Sequence, residues 1–139
     1  MNWNEIKTFC GIAGATIVSL INPLLGGWDM WLQAIVMFAV ADYIAGILAA
    51  AFEQKLDSRI GFRGIIKKMF MFILIAVAFQ LDVLLKTDII RVAVIGFYLG
   101  IEGLSILENA GRCGLPLPQI LKDALVQMKS KGETEKEVV

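Results

Sequence analysis

Between Lys7 and Asp29 the chain carries no charged residue, and three more apolar runs follow, Met30–Phe52, Met69–Leu85 and Ile89–Leu107. Hydrocarbon offers no partner to a backbone N–H or C=O, so a run of about 20 apolar residues closes its hydrogen bonds within itself, as a helix. That constraint excludes most folds. The expected class is all-α: an integral membrane protein with four transmembrane helices, arranged as two hairpins, plus a C-terminal amphipathic helix. The expected spans are 8–25, 30–52, 69–85 and 89–107, inside a transmembrane bundle covering 1–113. Composition agrees, at 58% hydrophobic and 19% charged, where a soluble domain carries about 25% charged residues.

Charge sets the orientation. The 53–68 link holds Lys55, Arg59, Arg63, Lys67 and Lys68, and the segment after Leu107 holds Arg112, Lys122, Lys129, Lys131 and Lys136. With Lys7 these are eleven of the thirteen Lys and Arg residues; only Lys86 and Arg91 fall on the other side. The positive-inside rule then predicts that both termini and the 53–68 link are cytoplasmic. Arg63, Lys67 and Lys68 are expected to be topology anchors, the two lysines snorkelling to the interface. Beyond the fourth span, Pro116 and Pro118 stop the helix, and Leu117, Leu121, Ala124, Leu125 and Met128 recur at helical spacing. Residues 114–129 are therefore expected to form an amphipathic helix on the cytoplasmic membrane surface or against the bundle. Residues 130–139 are expected to be a disordered polar tail.

The informative residues are the polar ones inside the apolar runs. On a helix at 100° per residue, Arg91, Tyr98, Glu102, Ser105 and Asn109 fall within about 40° of one line. Gly96, Gly100, Gly103 and Leu107 lie on a separate face, where another backbone can approach closely. On the second span Ala39, Asp42, Gly46, Ala49 and Glu53 share a face, small residues around a carboxylate. Asp42 and Asp82 are the other candidate buried acids, Asp82 as the outer-edge ion-pair partner of Arg91. A charge bared to lipid at mid-membrane costs about 2.5–3.5 kcal/mol. The stripe can cross-link helices by hydrogen bonds worth about 0.6 kcal/mol each. Alternatively it can line a wet path or a regulated contact between subunits.

Other functions are argued against by what is missing. Zero net charge leaves no basic field for nucleic acid. His is absent, which removes the commonest general base and metal ligand. Cys10 and Cys113 lack metal-site spacing and are read as reduced and structural. No phosphate-cradling loop or nucleophile elbow occurs. No catalytic, cofactor or metal residues are expected.

Three stretches are familiar together. They are Asp42-Tyr43-Ile44-Ala45-Gly46, then Ser58-Arg59-Ile60-Gly61-Phe62-Arg63-Gly64-Ile65-Ile66-Lys67-Lys68, and Glu102-Gly103-Leu104-Ser105-Ile106-Leu107-Glu108-Asn109 followed by Gly114-Leu115-Pro116-Leu117-Pro118. In these the chain resembles the toxin-secretion/phage-lysis holin family, from about Met30 to the Leu125 region. One departure is Ser58-Arg59, where the family often has paired serines. The resemblance implies a protein that homo-oligomerises in the bacterial cytoplasmic membrane into lesions. A cell-wall hydrolase (endolysin) or a toxin then escapes as a passenger, and the host lyses at a set time. It leaves room for an antiholin partner and supplies no catalytic residues. Two other classes compete: a small proton-coupled multidrug-type transporter, and a membrane anchor subunit of a larger complex. The transporter would be expected to carry its acid in the first span, which here has none.

Overall fold

A computed structural model describes residues 2–137, with side chains described within 2–131 other than that of residue 60. Each apolar run is helical, and the helices of the first three begin at polar side-chain caps. Helix α1, Trp3–Ile21, begins at Asn2, whose side chain accepts from the Asn4 N–H while the Glu5 carboxylate takes the Asn2 N–H. These contacts satisfy backbone donors that the first turn leaves open. Pro23 turns the chain through a short 3-10 turn, Asn22–Leu25, and Gly26 ends it at φ 85. Helix α2, Met30–Phe52, is capped by the Asp29 carboxylate on the Leu32 N–H at 2.9 Å. Helix α3 is Ser58–Leu85, α4 is Ile90–Arg112 and α5 is Gln119–Glu137. Helices α1 to α4 are long and apolar enough to cross a membrane, α1 together with its 3-10 turn.

Several boundaries differ from expectation. The third helix starts eleven residues before Met69, because Asp57 caps it through the Arg59 N–H and Lys and Arg are good helix formers. Four of the five cations expected in the link thus lie on the first turns of α3. The fourth helix runs five residues past Leu107, to Arg112. At the C-terminus, helix continues from Ser130 to Glu137, where a disordered tail is expected; Lys and Glu dominate that stretch and favour helix. Residues 138 and 139 of that expected tail lie outside the described residues.

Packing is less symmetric than two hairpins. α4 packs against α2, α3 and α5, whereas α1 buries none of its residues. The core is Leu32 and Ile35 of α2, Met71 and Ile75 of α3, and Ile95 and Leu99 of α4, closed by Leu25. Lipid is as apolar as these side chains, so close packing and hydrogen bonds between helices, not water exclusion, hold such a core together.

α5 lies back along the length of α4. Leu117 is beside Gly111 near one end, and Lys131 borders the same cavity as Asp88 and Ile89 at the other. Between them Leu125 is buried over Gly100 and Gly103. A Cβ on Gly100 would come within 2.8 Å of the Leu125 carbonyl oxygen and the Lys129 N–H nitrogen, so glycine is what admits the α5 backbone. Lys122, Asp123 and Gln127 of α5 are exposed, beside exposed Ile120 and Val126. Facing lipid, Lys122 and Asp123 at that depth would cost about 2.5–3.5 kcal/mol each.

Candidate functional site

Two polar clusters lie within the apolar helices. The first joins the Trp28 end of the bundle. Asp82, buried on α3, sits under the first turn of α4, where helical N–H groups lack partners. Its carboxylate accepts the Ile90 N–H at 3.0 Å and the Arg91 N–H at 2.8 Å, and the Thr87 hydroxyl donates to it as well. The expected Asp82–Arg91 ion pair is therefore not made between side chains. The Arg91 guanidinium instead reaches over to the 25–29 link, donating to the Leu25 carbonyl at 2.6 Å and to both Asp29 oxygens at 2.6 and 3.1 Å. The reason is geometric: Arg91 starts in the first turn of α4, beside a link whose carbonyls Pro23 and Gly26 have left without helical partners. Arg91 holds the Asp29 carboxyl below its usual range.

The second cluster joins three helices deep in the bundle. Lys68 of α3 donates to the Asp42 carboxylate of α2 at 2.8 Å and to the Glu102 carboxylate of α4. The Asn109 amide donates to the other Asp42 oxygen at 3.4 Å. Arg112 donates to the Asn109 side-chain oxygen at 2.9 Å and clamps both Glu53 oxygens at 2.8 and 2.9 Å. A continuous polar chain thus runs Glu53–Arg112–Asn109–Asp42–Lys68–Glu102. It borders a cavity of about 340 Å³ with Tyr43, Gly46 and Ser105 in its wall. Arg112 at the mouth holds the Glu53 carboxyl below its usual range.

Glu102 lies about 18 Å along α4 from Ile90, and its side chain is 11% exposed, against 16% each for Lys68 and Asp42. Those values decide the character of the site. A charge so enclosed is stable only when paired and hydrogen-bonded, and here two carboxylates share one ammonium.

Among the expected stripe residues, Arg91, Glu102 and Asn109 are buried, and Tyr98 and Ser105 half-buried. They do not act together: Arg91 belongs to the first cluster, while Glu102, Ser105 and Asn109 belong to the second. The small-residue face of α2 meets the stripe, with Ala39 and Ala49 buried and a Cβ on Gly46 only 3.7 Å from the Asn109 amide. Gly100 and Gly103 meet α5, whereas a Cβ on Gly96 would touch nothing within 4 Å. Arg63 and Lys67 are exposed. Lys68, expected to snorkel beside Lys67, turns inward instead. Consecutive residues of a helix point about 100° apart, and Lys68 continues the buried line of Met71, Ile75, Ala78 and Asp82. Extending that spacing back past Met69 would have found it.

Residues 19–130 match the bacteriophage holin family. The chain belongs to that family. Its holin-family relatives carry little functional description. An uncharacterized Listeria innocua protein is 44% identical over 96% of this chain and 94% of its own length. An uncharacterized 14.9 kDa protein of Clostridium perfringens is 38% identical over 81% and 87%. A probable holin of Bacillus phage phi105 is 29% identical over 86% and 90%. No solved structure matches this holin-family chain.

Proposed function

We infer that this holin-family chain oligomerises in the bacterial cytoplasmic membrane and opens lesions through which an endolysin or a toxin passes, with timed host lysis. The observation that carries the reading, beside the family, is the Asp42–Lys68–Glu102 cluster. Charged groups in a span disfavour lipid contact and favour water. In the single chain they are enclosed by α2, α3 and α4. Parting of those helices, as chains associate at high surface density, would turn the same groups toward an aqueous opening and lower their cost. A lesion built this way opens cooperatively, because each added chain contributes polar surface to the water already there.

The charge bias supports cytoplasmic termini, with the 53–57 link on the same side. Arg63 and Lys67 then anchor α3 there, and the Glu53–Arg112 clamp closes the cytoplasmic mouth of the cavity. Buried Leu125 and half-buried Met128, with exposed Asp123 opposite them and exposed Lys122 on the flank, support an amphipathic α5. The passenger needs no tight binding site on the bundle, and an antiholin would act by joining the same assembly.

Expression from a tightly controlled promoter, with culture density and membrane potential followed together, tests the reading. An abrupt, scheduled collapse of potential, brought forward by an energy poison, is the expected result. Continued growth with intact potential at high membrane levels of the protein would refute it.

A further inference from the structure

We propose that α5, folded along α4, is a water-facing wall of the assembled lesion: it docks where water covers its far side and leaves where lipid does. This rests on the lesion reading above and says which element borders the opening. Three observations carry it. The contact is built for a close helix, since Gly100 lies against α5 backbone and a Cβ on Gly103 would come within 2.6 Å of Leu125 and 3.1 Å of Phe38. Docked α5 spans the depth of α4, from Gly111 beside Leu117 to the Asp88 end beside Lys131. Away from Leu125, α5 exposes Asp123 and Gln127 beside Ile120 and Val126, with Gln119 and Lys122 exposed on its flank.

Lys122 and Asp123 at depth each cost about 2.5–3.5 kcal/mol against hydrocarbon, and helix packing inside lipid gains no water exclusion to offset that. With lipid around a single inserted chain, α5 therefore leaves for the membrane surface and bares the Gly100–Gly103 groove. With water on its outer side the same contact costs nothing in desolvation, and α5 seats. Docking and lumen growth then reinforce each other through their shared need for water.

The test is a proximity measurement on the full chain, with Cys10→Ser and Cys113→Ser removing the native thiols. Gly96→Cys and Met128→Cys place one thiol on each side of the cavity that both residues border; a Cβ at Gly96 meets no neighbour within 4 Å. A short membrane-permeant bis-maleimide is added to cells at intervals through induction, and intrachain cross-linking is read as a shift in monomer mobility. The expected result is little cross-linking while the potential is intact and a rise of at least about tenfold after it collapses. Equal yields before and after the collapse, or none at either time, would overturn the proposal. Cells that never depolarise would refute the lesion reading by the potential trace alone. In those cells a high yield would show α5 docked with lipid around it, and so overturn the α5 proposal on its own ground.

Discussion

Replacing Lys68 by Met keeps the aliphatic volume of the side chain and removes its charge, which isolates what the ammonium does. In the folded protein the amine lies 2.8 Å from Asp42 and also touches Glu102, with all three side chains at most 16% exposed. Two enclosed carboxylates would then face each other with only Asn109 as a donor, to Asp42 alone. Removing one partner from a buried ion cluster costs about 3–5 kcal/mol. That is two or more powers of ten in the folded-to-unfolded ratio, at about 1.4 kcal/mol per factor of ten. Titration of the purified protein from mild detergent into SDS, followed by far-UV circular dichroism, measures this directly. The decisive comparison is the triple variant Asp42→Asn, Lys68→Met, Glu102→Gln. It removes every charge together, and replacing a whole buried ion cluster is close to neutral in stability. The single variant is therefore expected to be much less stable than the triple one. A Lys68→Met loss below about 1 kcal/mol, the range of an exposed pair, would refute the enclosed cluster. So would a triple variant no more stable than the single one.

Three further outcomes follow from the same contacts. Arg91→Gln unties the 25–29 link from α4 and, with Asp29 partly exposed, is expected to cost about 1–3 kcal/mol in the same titration. Because Arg91 depresses the Asp29 carboxyl, that stabilisation is complete above the ordinary aspartate range and is lost as the pH falls through the depressed value. An acid titration should accordingly show a stability loss in wild type that Arg91→Gln lacks, and parallel curves would contradict the pairing. Gly100→Ala places a Cβ 2.8 Å from docked α5 backbone and should keep α5 from seating in the open lesion, at a cost there of about 1–3 kcal/mol. Gly96→Ala, in open space, should be neutral or stabilising by up to about 1 kcal/mol; protease sensitivity of the C-terminal segment separates the two. Glu102→Gln leaves Lys68 paired one-to-one with Asp42 and is expected to shift the time of lysis in the expression assay, so unchanged timing with unchanged oligomers would remove Glu102 from the mechanism.

The sequence by itself determined the helical class and the number of helices apolar enough to span. Length of apolar run and the absence of backbone partners in hydrocarbon leave no other solution. It also marked Asp42, Glu102 and Asn109 as residues that need partners, because their cost in lipid is large whatever the fold. Helix ends were less legible. α3 begins at Ser58 because Asp57 caps it, and a local cap outweighs the change in hydropathy at Met69.

Who partners whom was decided only in three dimensions. Lys68 and Glu102 are 34 residues apart and Arg91 and Asp29 are 62 apart, so no local period connects them. Periodicity assigns a face to each residue but not the neighbour that the face meets. Arg91 and Glu102 fall on one stripe of α4 yet belong to different clusters, because each takes the partner at its own depth. The Gly100–Gly103 groove is legible as a place for a close helix, but that its occupant is α5 of the same chain follows from how the helices pack. A glycine face records that something comes near; the tertiary structure alone says what does.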